Sequence, residues 1–334
     1  MAAAEASPRD VLVTGASGFV GSHVAEALVR RGHRVTCLVR PTSDTSWLRA
    51  LPVRFAQGDV GDPAALREAV RGMRQVYHVA GLVKARDRAA YLRANHLGTR
   101  HLLEALADVN PGLDRFVHMS SLAAAGPSRD GRPLTEKDEP RPVSWYGESK
   151  LMAEQEVLRF AQAYPVTILR PAAVYGPRDR ETALLFRMVR RGWLLVPGGA
   201  PKRFSLAHAR DVAEAFALAG ERPLPSGEIF FIARPEAYTW EEVGRAVAGA
   251  LGTRPRQLVL PAWLAGLAGL AGDLTTRLTG RPATLNSQKV REMLQAAWLC
   301  DSTKARERLG FTPAVDLEEG IRETARWYRE HRWL

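Results

Sequence analysis

Tyr146 and Lys150 stand four residues apart in Ser144-Trp145-Tyr146-Gly147-Glu148-Ser149-Lys150, a spacing that puts both on one face of a helix. A phenol, with a pKa of about 10, is a poor base at neutral pH, but a neighbouring ammonium favours the phenolate and lowers that value. Such a tyrosine can exchange a proton with a substrate oxygen while a serine hydroxyl holds the same oxygen. Ser120-Ser121 supplies the hydroxyl, directly after a stretch at 115–119 that reads as a fifth strand. By themselves a Tyr and a Lys at this spacing describe a solvated helix face; with Ser121 at a strand end they describe a proton-transfer site. A second set lies upstream, in Thr14-Gly15-Ala16-Ser17-Gly18-Phe19-Val20-Gly21. Gly15 allows a tight bend, Gly18 lets the chain approach a pyrophosphate, and Gly21 lets helix and strand pack closely. The phosphates of a dinucleotide would sit on the helix N-terminus, among Ser17, Phe19 and Val20.

These side chains need strands and helices in alternation to hold them. Residues 11–13 read as a central parallel strand, and Val20, Val24, Ala27 and Leu28 as the apolar face of a helix stopped by Gly32. A second strand at 35–39 ends in Arg40 with no carboxylate before Asp44. An acidic residue there would bind ribose hydroxyls and an arginine a 2′-phosphate, so NADP(H) is favoured and NAD(H) stays open. A third strand at 53–57 leads into Gly58-Asp59-Val60, where Asp59 contacts adenine or caps a turn, and Asp62-Pro63 opens a helix running to about 70. A fourth strand at 75–79 delivers His78-Val79-Ala80-Gly81 to the carboxyl edge, where ligands bind in open parallel sheets; His78 reads as a packed histidine. A long helix follows, with Asn95 and Thr99 near its start and Leu102, Leu103 and Leu106 on its apolar face. The Gly- and Pro-rich loop 126–142 can cover a substrate, and the helix carrying Lys150 has Leu151, Val157 and Leu158 on its apolar side.

The 334 residues, 46% hydrophobic and 25% charged, suit one large α/β domain with an appendage. The net charge of +11 would suit nucleic acid or an anionic membrane, but the basic residues are scattered and no block of five like charges appears. No specific nucleic-acid partner is expected. Cys37 and Cys300 are too far apart and too few for a disulfide framework, no metal motif is present, and residues 1–8 read as a loose tail without the pattern of a signal peptide. A cytoplasmic protein fits.

Taken together, these residues resemble the extended short-chain dehydrogenase/reductase family, whose members include nicotinamide-dependent epimerases, dehydratases and hydroxysteroid dehydrogenases. The resemblance rests on Thr14-Gly15-x-x-Gly18-x-x-Gly21, Gly58-Asp59, Asn95-x-x-Gly98-Thr99, Ser120-Ser121, Tyr146-x-x-x-Lys150 and Leu169-Arg170-Pro171 through Tyr175-Gly176-Pro177. Trp298, Asp301, Lys304-Ala305 and Leu309-Gly310-Phe311-x-Pro313 are similar to its closing signature, followed by a helix at 317–327. The resemblance implies that Tyr146 gives or takes the proton, that Lys150 lowers its pKa and binds the nicotinamide ribose, that Ser121 orients the substrate oxygen, and that Asn95 supports a proton relay. It also implies cofactor contacts at Val60, Val79, Ala80 and Gly81, with Pro171, Ala172 and Val174 beside the nicotinamide carboxamide, and homodimers through paired core helices. Two departures bear on the substrate. Nucleotide-sugar enzymes of the family usually place Asn where this chain has Ala173, and many place an arginine where it has Phe204, with Arg203 one residue off.

Residues 258–274 carry no charge before Asp273, and Leu260, Leu264, Leu267 and Ala271 fall at helical spacing. The segment reads as a buried helix, the wall of an apolar pocket, or a helix lying on a membrane surface; Pro261, its glycines and its length argue against a span. Pro282-Ala283-Thr284 with Val290 resembles the 3β-hydroxysteroid dehydrogenase-like branch. The expected architecture is a Rossmann-type, doubly wound parallel α/β sheet (1–175 with 207–232) and a smaller, discontinuous C-terminal substrate lobe (176–206 with 233–334). The expected reaction is hydride transfer between a nicotinamide cofactor and a secondary alcohol or ketone of a hydrophobic small molecule. The alternatives are a nucleotide-sugar epimerase or dehydratase, and a non-catalytic nucleotide-sensing or RNA-binding protein.

Overall fold

The computed structural model describes residues 8–198 and 201–334; the expected tail falls almost wholly outside them. In chain order the strands are β1 (Asp10–Thr14), β2 (Arg34–Val39), β3 (Arg54–Gln57), β4 (Gln75–His78), β5 (Arg115–Met119), β6 (Val166–Pro171), β7 (Ala173–Tyr175), β8 (Trp193–Pro197), β9 (Arg203–His208), β10 (Glu228–Ile232), β11 (Ala237–Thr239), β12 (Arg256–Leu260) and β13 (Ala297–Trp298). The α-helices are α1 (Phe19–Arg30), α2 (Pro63–Val70), α3 (Arg88–Tyr91), α4 (Gly98–Val109), α5 (Leu122–Ala125), α6 (Trp145–Phe160), α7 (Thr182–Arg190), α8 (Ala209–Glu221), α9 (Trp240–Leu251), α10 (Ala262–Thr279), α11 (Ser287–Met293) and α12 (Leu317–Glu330).

Seven parallel strands form the central sheet in the order β10-β6-β5-β4-β1-β2-β3. Alternation along β1 explains its layers. Val11 and Val13 pack with Val24 and Leu28 of α1 and with Val212 and Phe216 of α8, whereas Leu12 faces Leu66 of α2 and Leu102 and Leu106 of α4. Two faces, each clothed by helices, make a strand that is apolar at every central position, Val11 to Val13. Local signals set the helix ends as expected: the Asp62 carboxylate accepts from the amides of Ala64 and Ala65 at 3.1 and 3.2 Å, with Pro63 at the first helical position.

After β6 the chain builds a second layer and twice returns. α8 packs against α1, and β10 closes the edge of the core sheet beside β6. A third return was not foreseen: Ala305, Leu309 and Phe311, assigned from the sequence to the lobe, pack fully buried in the core with α8. The lobe has its own core, where Phe186 of α7, Val247 of α9 and Ile321 and Tyr328 of α12 meet.

Three further expectations change. The buried face of α6 carries Lys150, Ala153, Glu154 and Val157, and Leu158 points to solvent, because this helix turns its polar face inward toward the site. Segment 258–274 divides at Pro261 into the end of β12 and most of α10, and its leucines, Leu260 excepted, face outward rather than into a core. Loop 126–142 is strapped down: Leu134 bonds Leu299 O at 2.9 Å and accepts from Asp301 N at 2.8 Å, and the Glu136 carboxylate accepts from Phe231 N at 2.8 Å. No helix among the described residues is long and apolar enough to cross a membrane, and the two cysteines are free and buried.

Candidate active site

The glycine turn between β1 and α1 lies at the carboxyl edge of the sheet. Gly15 has φ +72°, and a Cβ on it would stand 2.6 Å from Ala80 N; a Cβ on Gly21 would stand 2.1 Å from the Gly15 carbonyl oxygen. The backbone is thus folded against itself and against the chain leaving β4. Gly18 is the N-cap of α1 and offers no side-chain cap, so the first amides of the helix have no side-chain acceptor. Ser17 and Phe19 flank them, and Val20 anchors the helix in the core. A cradle closed to side chains, with uncapped amides at a positive helix end, fits the pyrophosphate of a dinucleotide.

Arg40 follows β2 and is exposed, with its guanidinium 3.8 Å from the Asp59 carboxylate beyond β3. Asp59 also accepts from Gly61 N at 2.8 Å, which fixes the turn at Val60. At the end of β4, Val79 N and Ala80 N bond the Thr14 carbonyl and hydroxyl, both at 3.2 Å. His78 is a packed histidine: its ring bridges Thr14 Oγ1 at 2.7 Å and Thr99 Oγ1 at 2.9 Å, and burial lowers its pKa to about 3, so it is neutral.

Asn95 sits in a π-helical turn, Leu92–Leu97, whose loosened carbonyl at Asn95 is taken by the Thr99 hydroxyl at 2.6 Å. Its amide is fully employed. It accepts from Leu82 N at 2.7 Å, and donates to Leu82 O at 3.0 Å and to Ser149 Oγ at 2.9 Å. In this geometry Asn95 is a positioning residue that ties the chain after β4 to α6. Gly81 lies between them, and a Cβ there would stand 3.1 Å from Asn95 Oδ1 and 3.7 Å from Lys150 Nζ.

Ser121 is the N-cap of α5 and accepts from Ala123 N at 3.1 Å. A Cβ on Gly147 would meet the Ala123 carbonyl oxygen at 2.3 Å, so this glycine lets α6 close onto α5. That approach sets the Ser121 hydroxyl beside the Tyr146 phenol, where hydrogen bonding favours the phenolate. Burial is the larger influence and raises the Tyr146 pKa, with Glu292 and Tyr91 adding to it. The expected lowering by Lys150 is therefore not the outcome here: desolvation dominates, and Tyr146 is a protonated phenol at neutral pH. Lys150 is itself buried, which lowers it from 10.5 to about 8 against the opposing charge of Glu154.

Glu154 was missed in the sequence, although it lies four residues beyond Lys150 on the same face. Its carboxylate pairs with both arms of the Arg170 guanidinium at 2.8 and 2.6 Å, deep in the protein. Glu292 carried no sequence signal. Ser144, the N-cap of α6, donates to Glu292 at 2.6 Å, and Trp145 N donates to Gln288 at 3.1 Å, so α11 grips the start of the helix bearing Tyr146.

At the end of β6, Pro171 and Ala172 are buried, Ala172 N bonds Ile232 O at 3.0 Å, and the half-buried Val174 pairs with Ala207 in β9. Phe204 stacks obliquely on Trp240, ring centres 5.0 Å apart, within the lobe core. Arg203 is exposed at the start of β9, where its charge acts on Glu242. Beside the site, Leu82 and Val83 are 40% and 60% exposed and Trp145 is 37% exposed, giving the rim an apolar character.

Comparison with known proteins agrees with this geometry. The chain is 33% identical over 324 residues to a ceramide reductase of Caulobacter vibrioides, covering 97% of this chain and 96% of that one. It is 31% identical over 336 residues to sterol demethylase protein B of Methylococcus capsulatus, covering 96% and 98%. Among solved structures, the UDP-glucose 4-epimerase of Thermus thermophilus in complex with NAD superposes with a TM-score of 0.77 at 28% identity, over 96% of this chain and 99% of that one. Residues 11–233 match the NAD dependent epimerase/dehydratase family, and the chain belongs to that family.

Proposed function

We propose that this protein is a nicotinamide-dependent reductase of an apolar ketone, or dehydrogenase of the corresponding secondary alcohol, with NADP(H) preferred. The observation that carries the reading is the half-buried, protonated Tyr146 beside the Ser121 hydroxyl, on the helix that also carries the buried Lys150 four residues on. Ser121 donates to the substrate carbonyl oxygen and orients it, and Tyr146 delivers its phenolic proton to that oxygen as charge builds there. Lys150, largely protonated below pH about 8, stabilises the phenolate left behind and is near enough to Gly81 to reach a ribose hydroxyl in the cradle. Gly15, Ser17, Gly18 and Gly21 hold the pyrophosphate, Pro171, Ala172 and Val174 border the carboxamide, and Arg40 takes the 2′-phosphate of NADP(H). A nicotinamide cofactor bound there supplies or accepts the hydride.

The substrate class follows from the rim. Leu82, Val83 and Trp145 offer apolar surface, Ala173 removes an amide, and Phe204 is committed to the lobe core, so a sugar diphosphate finds few partners. The names of the ceramide and sterol relatives point the same way.

The test is coenzyme absorbance with NADPH and NADH in parallel against apolar ketones and nucleotide sugars, with Tyr146→Phe as control. Net NADPH oxidation with a ketone, lost in the variant, is the expected result. Conversion of a nucleotide sugar without net coenzyme change would overturn the reading in favour of an epimerase or dehydratase.

A further inference from the structure

Helix α10 is built the reverse way from a helix that packs on a soluble core. Trp263, Leu267, Leu270, Leu274 and Leu278 recur at spacings of three or four residues and so share one face, and all are exposed, Trp263 by 68% and Leu278 by 79%. The opposite face is small. Ala265, Gly269 and Thr276 are buried there, and a Cβ on Gly272 would meet the Leu285 carbonyl oxygen at 1.9 Å. The glycines let α10 lie close on the chain at 285–290 while every bulky side chain points away. The strand before it repeats the pattern. In the parallel pair β8-β12, Leu258 stands opposite Leu195 and both are exposed, although parallel sheets are normally covered on both faces.

Charge says what covers this surface. Residues 254–291 hold Arg254, Arg256, Arg277, Arg281, Lys289 and Arg291 against a single acid, Asp273. The five arginines are exposed, and none forms an ion pair among the described residues. A second copy meeting this face would bring two arginine sets together, which disfavours a dimer. A plane of lipid phosphates complements both features. The stripe from 263 to 278 is about 22 Å long at 1.5 Å per residue, and α10 is not apolar enough to span a bilayer, which leaves it lying in the interface.

We infer that α10 is a docking helix that beds its Trp263 and leucine face into the surface of a bilayer containing anionic lipid, with Arg254, Arg256, Arg277 and Arg281 on the headgroup phosphates. The docked helix adjoins the site, because α10 packs on α11, and Gln288 and Glu292 of α11 hold the start of α6 next to Tyr146. Delivery of a bilayer-borne ketone to Tyr146 rests on the function proposed above; the docking does not.

The experiment is flotation of the full chain with phosphatidylcholine vesicles, with and without phosphatidylglycerol, at low and high salt. The variants are Leu267→Glu with Leu274→Glu, and Arg277→Glu with Arg281→Glu; all four positions are exposed, and circular dichroism checks the fold. Salt-sensitive binding to the anionic vesicles is expected, falling about tenfold or more in either double variant. Solution reduction of a soluble ketone should be unchanged in the leucine variant, and because flotation needs no turnover the docking is judged without it. Absence of wild-type binding to anionic vesicles, or equal binding by the leucine variant, would overturn the inference. So would light scattering showing a wild-type dimer that the leucine variant converts to monomer, which would make a second copy the occupant.

Discussion

Glu154→Gln tests how the site is held from beneath. The Arg170 guanidinium, 3% exposed, keeps its charge in the variant but loses the carboxylate that now meets it at 2.8 and 2.6 Å. Removing one partner of a buried pair costs about 3–5 kcal/mol, because the remaining charge is neither hydrated nor compensated. With a urea m-value of about 3 kcal/mol per molar, that moves the unfolding midpoint down by about 1–1.7 M. Replacing both partners, Glu154→Leu with Arg170→Met, removes the stranded charge, and the methionine keeps contact with the Phe231 ring that Arg170 now overlies at 5.6 Å. Most of the lost stability should return in that double variant. A second readout follows from Lys150, whose pKa Glu154 holds up against burial. In Glu154→Gln it falls further, so the alkaline limb of ketone reduction moves to lower pH. Urea unfolding followed by tryptophan fluorescence, with pH–rate profiles of the same proteins, gives both quantities. A loss under about 1 kcal/mol for Glu154→Gln, the size of an exposed pair, or a double variant less stable than the single one, would refute the reasoning.

Two more outcomes follow from the site. Burial lowers Lys150 from 10.5 to about 8, so reduction should decline as pH rises through about 8, and a rate flat up to 10.5 in a pH–rate profile would contradict the role given to its ammonium. The linkage has the opposite sign: between those values the unfolded chain binds more protons than the folded one, so the contribution of Lys150 to stability rises with pH, measurable by urea titration across that window. Arg40→Ser should lower the ratio of kcat/KM for NADPH to that for NADH by about tenfold; an unchanged ratio in steady-state assays would leave Arg40 only its contact with Asp59.

Much of the fold was legible because its signals are local. The β-prone stretches that became β1, β2 and β5, the Asp62-Pro63 helix start and the glycine spacing of 15, 18 and 21 each report on their own few residues, and the structure puts the strands within a residue or two of the expected bounds. The site was legible for the same reason: an open parallel sheet sends every strand's carboxyl end to one edge, so Gly15, Val79, Ser121 and Pro171 had to meet there. The turned face of α6 was not legible, since Leu158 is apolar yet exposed while Lys150 and Glu154 are buried; the ion pair with Arg170 compensates the burial of Glu154, and the Glu154 charge opposes the desolvation of Lys150.

The sequence by itself determined the alternation of strand and helix, the cradle glycines, and the presence of Ser121, Tyr146 and Lys150 at one edge, because spacing and backbone sterics act over short range. The tertiary structure alone decided that the Tyr146 phenol is raised rather than lowered, since desolvation depends on everything packed around it. It alone placed Glu292 on the cap of α6, returned Phe311 to the core, and turned the leucines of α10 outward. Helical periodicity says which side chains share a face; the neighbours that the fold brings up say which way that face looks.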